Sequence, residues 1–188
     1  AWTVPVGPAY SSVVIAGGLA ITMEQRRERE AIVAFAFDSG APIWEHAWDA
    51  RFYEPLSKEG PRGTPAIDGP SVVAMGATGE LRCVELATGV LRWRRSLGDG
   101  NLRYGLAGSP RIRDGVVYAQ GATTVQAFEL ATGEPRWTAL DEQLAYATLQ
   151  FGTLLDVETL LVCASTRVVG LELATGRELW SFPWEVND

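Results

Sequence analysis

One pattern occurs four times in this 188-residue chain: FAFDSGAPIW ending at Trp44, VELATGVLRW at Trp93, FELATGEPRW at Trp137 and LELATGRELW at Trp180. The period is 43 to 49 residues, and a second pattern keeps step with it: YSSV at 10–13, RGTP at 62–65, AGSP at 107–110 and YATL at 146–149. Two signatures in register over four copies mark a tandem structural repeat, which constrains the fold more than any bulk property.

Within each unit the residues read as short strands between turn signals. The second unit runs TPAID, a turn at Asp68, Gly69 and Pro70, SVVAMG, a turn near Thr78 and Gly79, LRCVEL, a turn at Ala87, Thr88 and Gly89, then VLRWRR. β-Branched and apolar residues between Gly, Asp and Pro punctuation predict strands, and no window carries a helical period. Gly40, Gly89, Gly133 and Gly176 suit a tight hairpin between the third and fourth strands because glycine takes positive φ without a Cβ clash. Four residues later, Trp44, Trp93, Trp137 and Trp180 fall at one fixed place on the outermost strand, where the ring can cover a neighbouring sheet and the indole N–H can find a partner. Arg92, Arg94 and Arg136 beside these tryptophans fit an outer strand guarded against pairing. A four-stranded unit of this size cannot bury both faces alone. Stacking copies of it around an axis makes a β-propeller, whereas a sandwich or jelly roll leaves the repeat unexplained. The expected fold is therefore all-β, with about four four-stranded antiparallel blades spanning approximately 9–49, 61–98, 105–140 and 145–184.

Trp137 precedes Thr148 by 11 residues, and Trp2 precedes the equivalent Ser12 by 10. Trp2 is thus expected to close a blade whose other strands precede the chain, residues 1–8 being its remnant. Eight residues follow Trp180, so the chain reads as a sector cut from a larger ring, completed by the remaining blades of a parent chain or by a second copy. Four blades alone would expose two apolar faces.

A net charge of −7 argues against a nucleic-acid or anionic-membrane partner, because both require a dense positive face. No stretch approaches the roughly 20 apolar residues that span a bilayer. The segment AWTVPVGPAY lacks signal-peptide features, although a chain beginning without Met leaves the compartment unread. Cys83 and Cys163 lie far apart in apolar runs and read as buried thiols. With no CxxC pair and no His/Cys cluster, the sequence supports no metal site.

An acidic residue, two variable positions, Thr-Gly, three variable positions and Trp together resemble the pyrroloquinoline-quinone-like (PQQ-like) propeller repeat. That repeat is found in quinoprotein dehydrogenases, in the outer-membrane assembly lipoprotein propeller and in bacterial PQQ-like repeat proteins. The stretches YSSVVIAGGLAITMEQR, EGPRGTPAIDG and ELWSFPW carry the closest likeness, which covers nearly the whole chain. Glu85, Glu129 and Glu172 match the family's acidic position, while the first unit has Ala36 there and Asp38 two residues later. The resemblance implies an eight-bladed ring and a periplasmic or otherwise extracytoplasmic location.

In a propeller the first strand of each blade lines the central channel and ligands meet loops at one end of it. Tyr10, Arg62 and Tyr146, with Tyr104 as a fourth, are the candidates to face that axis. They could form an aromatic site with one guanidinium for an anionic or peptide ligand, or they could cap the channel end and bond neighbouring loops. His46 follows Trp44 on an outer strand and reads as surface filler without a nucleophile nearby. EQRRERE at 24–30 interrupts the first repeat and reads as a charged hairpin or loop with self-compensating pairs, or in function as a partner-binding lip. Asp141 and Glu142 read as solvated loop charges, with nothing to set them across a substrate.

No catalytic residue is assigned. A quinoprotein dehydrogenase oxidising alcohols or sugars would need PQQ with calcium on the axis, a base and often a vicinal Cys-Cys, which the sequence lacks. The expected function is a noncatalytic scaffold that binds proteins or peptides without a cofactor. The alternatives are part of such a dehydrogenase, or the sensor propeller of a multidomain protein.

Overall fold

The structure, a computed structural model, describes residues 1–98, 103–154 and 156–184. Its eighteen strands form four four-stranded antiparallel sheets and one two-stranded hairpin. Blade 1 comprises β1 (Val14–Ala16), β2 (Leu19–Arg26), β3 (Arg29–Ala36) and β4 (Pro42–Asp49). A hairpin of β5 (Tyr53–Glu54) and β6 (Lys58–Glu59) follows. Blade 2 is β7 (Ala66–Asp68), β8 (Ser71–Met75), β9 (Glu80–Glu85) and β10 (Leu91–Ser96). Blade 3 is β11 (Arg111–Arg113), β12 (Val116–Gln120), β13 (Val125–Glu129) and β14 (Pro135–Ala139), and blade 4 is β15 (Gln150–Leu154), β16 (Val157–Cys163), β17 (Arg167–Glu172) and β18 (Glu178–Pro183). Each blade is a meander in chain order, as expected for a propeller sector.

The core lies between blades, not within them. All five residues of β8 are buried, yet alternate side chains serve different layers. Val72 and Ala74 pack with Ile21, Met23, Ile32 and Trp48 of blade 1, whereas Val73 and Met75 pack with Val117, Ala119 and Phe128 of blade 3. Tyr118 and Val125 repeat the scheme against Leu160, Val162 and Leu171 of blade 4. A strand buried on both faces reads as a continuous apolar run, which is why SVVAM and VVYAQ show no polar alternation.

The repeated signature is a blade-to-blade lock. In blade 3 the Gly133 N–H donates to Glu129 O at 2.7 Å and the chain turns with φ +70° at Gly133. A Cβ there would come within 2.6 Å of the Trp93 ring from the blade before. The same contact joins Trp2 to Gly40, Trp44 to Gly89 and Trp137 to Gly176. Each indole also donates to the carbonyl three residues before the glycine it covers: Trp2 to Phe37 at 2.9 Å, Trp44 to Leu86 at 2.9 Å, Trp93 to Leu130 at 2.8 Å and Trp137 to Leu173 at 3.0 Å. The acidic position steadies the same turn: Thr88 Oγ1 donates to Glu85 at 2.6 Å, and Arg136 Nε to Glu129 at 2.6 Å. Blade 1, with Ala36 there, keeps the backbone bond from Gly40 N to Ala36 O at 2.8 Å and has Ser39 Oγ accepting from Ala41 N at 3.3 Å in place of the acidic contact.

Three sequence expectations change. EQRRERE forms a hairpin, running from the end of β2 through a two-residue turn into β3 with Arg26 paired to Glu24, but Glu24, Gln25 and Glu30 within it are buried, so it is more than a charged surface turn. Gln25 and Glu30 are cross-strand partners on one face, bonded to Phe52 N and Ala77 N, whereas Glu24 lies on the opposite face and accepts from Gly7 N; both faces of the hairpin are covered, and Arg27 and Glu28 occupy the turn. His46 is half-buried, with Nε2 3.4 Å from Arg82 Nη1, because β4 is covered by the neighbouring blade. Glu142 is no free loop charge, since Arg167 Nε and Nη2 both donate to its Oε1, at 3.1 and 2.5 Å.

Candidate functional site

β1, β7 and β11 lie side by side as inner strands, and a chain of hydroxyls links the segments leading into them. Ser12 N donates to Thr64 Oγ1 at 3.0 Å, Thr64 N to Ser109 Oγ at 2.9 Å and Ser109 N to Thr148 Oγ1 at 3.0 Å. Small residues are needed here: a Cβ on Gly63 would lie 2.9 Å from Gly108 O, and one on Gly108 would lie 3.0 Å from Ala147 O. This inner seam holds the residue before it in each repeat at one end of the axis.

There Tyr10, Ser57, Arg62, Tyr104, Ala107 and Tyr146 line a cavity of about 420 Å³. The structure thus brings together all four residues singled out in the sequence, although they come from four different repeats. Arg62 organises it. Its guanidinium lies 4.7 Å from the centre of the Tyr10 ring and 4.8 Å from that of Phe52. Nη2 donates to Ser57 Oγ at 2.9 Å and Lys58 O at 3.0 Å, Nη1 to Glu59 O at 3.3 Å, and Nε to Tyr104 O at 3.3 Å. Burial holds its pKa below the usual arginine value, with nearby Tyr10 and Glu30 opposing. Tyr104 and Tyr146 pack with ring centres 5.5 Å apart, and Tyr104 N approaches Tyr146 Oη at 3.4 Å.

The inserted β5–β6 hairpin was not foreseen, and it supplies Ser57 and three of the Arg62 contacts. Its turn is pinned by Glu54, whose carboxylate accepts from Leu56 N at 2.8 Å and Ser57 N at 2.7 Å; these bonds, the Ser57 N–H first, hold its pKa below the ordinary carboxylate value. Leu56, next to Ser57, is 70% exposed, and Tyr10 and Tyr146 are 60% and 44% exposed, so the cavity rim is apolar and open. The segment YEPLSKEG carries the signal that could have revealed it: Pro and Gly punctuation outside the repeat register.

A second polar centre, also missed, lies between blades 1 and 2. Glu30 is fully buried and its Oε1 accepts from Ala77 N at 2.9 Å. Oε2 would collide with any Cβ on Gly76, and the buried Trp48 Nε1–H lies near the carboxyl without reaching full hydrogen-bond geometry. Burial pushes the carboxyl up to about 7, against the opposing hydrogen bond from Ala77. This site lies in the packing between blades, beside Trp48. Among the described residues no group of three or more His, Cys, Asp or Glu is placed to hold a metal ion, and no helix is long and apolar enough to cross a membrane.

BamB from Moraxella catarrhalis superposes with a TM-score of 0.67 at 23% identity, over 90% of this chain and 50% of that one. The quinohemoprotein alcohol dehydrogenase from Pseudomonas putida HK5 gives 0.69 at 15% identity, over 95% and 34%. A europium-containing methanol dehydrogenase gives 0.72 at 11%, over 96% and 43%. The chain therefore spans half or less of the length of these proteins, and the likeness shows a shared propeller fold. No curated protein sequence matches. Residues 28–185 match the family described as outer membrane protein assembly factor BamB, and the chain belongs to that family of PQQ-like propellers.

Proposed function

We propose that the chain is a noncatalytic binding propeller that holds a protein segment at the end of its axis. The observation that carries this reading is the cavity of about 420 Å³ bounded by Tyr10, Tyr104, Tyr146 and Arg62, with exposed Leu56 on the inserted hairpin beside it. Clustered aromatic rings and an arginine on a rigid frame are the composition of protein-binding hot spots. The relation to a protein assembly factor supports the same class of role and an extracytoplasmic location.

The dehydrogenase reading fits less well. PQQ with calcium needs a set of oxygen ligands around the ion, whereas the residues that line the axial cavity are aromatic and apolar apart from Ser57 and Arg62 and include no carboxylate. Ring completion by a second copy also meets an obstacle, because Trp2 already covers Gly40, the turn that a partner copy's last tryptophan would need.

Selection of displayed random peptides against the chain tests the proposal. Selected peptides should lose binding to a Tyr10→Ala/Tyr146→Ala variant whose thermal midpoint is kept. Binders indifferent to that variant, or a stoichiometric quinone spectrum after addition of PQQ and calcium, would overturn the reading.

A further inference from the structure

Arg62 differs from most arginines of this protein in what it lacks. Nine others pair with a carboxylate: Arg26, Arg29, Arg51, Arg82, Arg103, Arg113, Arg136, Arg167 and Arg177. Arg62 has no carboxylate within ion-pair distance among the described residues. Its acceptors are the Ser57 hydroxyl and the carbonyls of Lys58, Glu59 and Tyr104, all neutral. The guanidinium is therefore fixed by four hydrogen bonds and two aromatic faces, while its nearby carboxyls among the described residues, Glu30 and Glu54, stay beyond ion-pair distance. Among the described residues one N–H of Nη1 has no acceptor.

A half-buried cation kept in place and left unpaired at a cavity wall is a preorganised anion receptor. Two features define the anion. A phosphate would require several converging donors, whereas the contacts among the described residues leave this wall two: one guanidinium N–H of Arg62 and the O–H of Tyr146. The Tyr146 oxygen accepts the contact from Tyr104 N, which leaves its O–H to donate. That donor set suits a monoanionic carboxylate. The rest of the lining is aromatic and apolar and opens onto exposed Tyr10 and Leu56, a surface that takes hydrocarbon on either side of the charged group.

We infer that the cavity receives an acidic peptide segment, with an Asp or Glu carboxylate taken by Arg62 and Tyr146 and flanking apolar side chains laid against Tyr10 and Tyr104. This rests on the protein-binding reading above and specifies what the partner presents. An acidic ligand for a chain of net charge −7 is held by this one local positive site and not by the global field.

The test is an NMR titration of the isotope-labelled chain with two blocked peptides, acetyl-Gly-Phe-Asp-Phe-Gly-amide and its Asn counterpart, and with benzoate. The Asp peptide should bind with a dissociation constant of about 1 mM or tighter, shift the Arg62 Nε–H resonance and weaken with salt. The Asn peptide should bind about tenfold more weakly, the loss of one charge-assisted hydrogen bond. Tyr146→Phe, which keeps the ring, should cost about threefold for the Asp peptide alone, and Arg62→Lys should remove the Asp preference. If Arg62→Lys loosens the hairpin, Tyr146→Phe and the Asp/Asn pair still decide. Equal binding of the two peptides would overturn the carboxylate assignment while leaving peptide binding intact. Benzoate binding as tightly as the Asp peptide would overturn the peptide assignment, and failure of the Asp peptide to bind would overturn the inference outright.

Discussion

Replacing Gly133 by Ala, with Gly115→Ala as control, isolates the lock that joins successive blades. Both glycines sit in hairpins of blade 3, with φ +70° at Gly133 and +73° at Gly115. An alanine therefore carries the same left-handed backbone cost at either site, about 1–2 kcal/mol. Their surroundings differ completely. A Cβ at Gly115 meets nothing within 4 Å, whereas at Gly133 it falls 2.6, 2.8 and 2.8 Å from three atoms of the Trp93 ring. Trp93 is 6% exposed and packed among Cys83, Leu97 and Phe128, so its ring cannot step aside without disturbing the blade 2–blade 3 core. Overpacking costs about 1–3 kcal/mol, and displacement of the ring sacrifices its bond to Leu130 O, about 1 kcal/mol.

Gly133→Ala should thus destabilise the chain by about 3 kcal/mol more than Gly115→Ala, the sum of these two costs. Urea unfolding followed by tryptophan fluorescence measures the difference, with equal slopes required for the comparison. Equal midpoints for the two variants would refute the reasoning, since the ring contact would then contribute nothing beyond the backbone strain.

Two further perturbations test other parts of the structure. Glu30 keeps its proton in the folded chain up to about pH 7, while an unfolded glutamate releases it near 4.5. The folded state therefore binds more protons across that window, and stability must fall as pH rises through it, by about 3 kcal/mol at most for the whole interval. Glu30→Gln should flatten unfolding free energies measured from pH 4.5 to 8, and an unchanged slope would remove Glu30 as its source. Burial pushes the Cys83 thiol up to about 11, whereas Cys163 is only half-buried and lines a cavity of about 450 Å³ with Tyr146 and Trp184. Ellman's reagent should titrate one thiol per native chain and none in Cys163→Ser; two equally fast thiols would contradict the burial of Cys83.

What the sequence showed and what it hid follow one physical distinction. Trp93 and Gly133 are legible because the same contact must form at every blade junction, so the residues recur at a fixed spacing and their partners can be inferred from the repeat alone. Glu30 is hidden for the opposite reason. It sits in a run of charges, EQRRERE, that composition assigns to solvent, and only the strand alternation together with the missing Cβ of Gly76 reveals that its carboxylate lies between two sheets. The axial cavity falls between these cases. Tyr10, Arg62 and Tyr146 occupy one repeat position, so their convergence at one end of the axis could be reasoned from the period, but the period holds nothing about Phe52, Ser57 or Lys58, which lie in an insertion outside it. That insertion makes Arg62 differ from its counterparts: it clamps the guanidinium through neutral acceptors, with no carboxylate in ion-pair reach among the described residues. A propeller frame built by repetition gains a distinct site only where repetition is broken, and in this chain the break is the hairpin at 53–59.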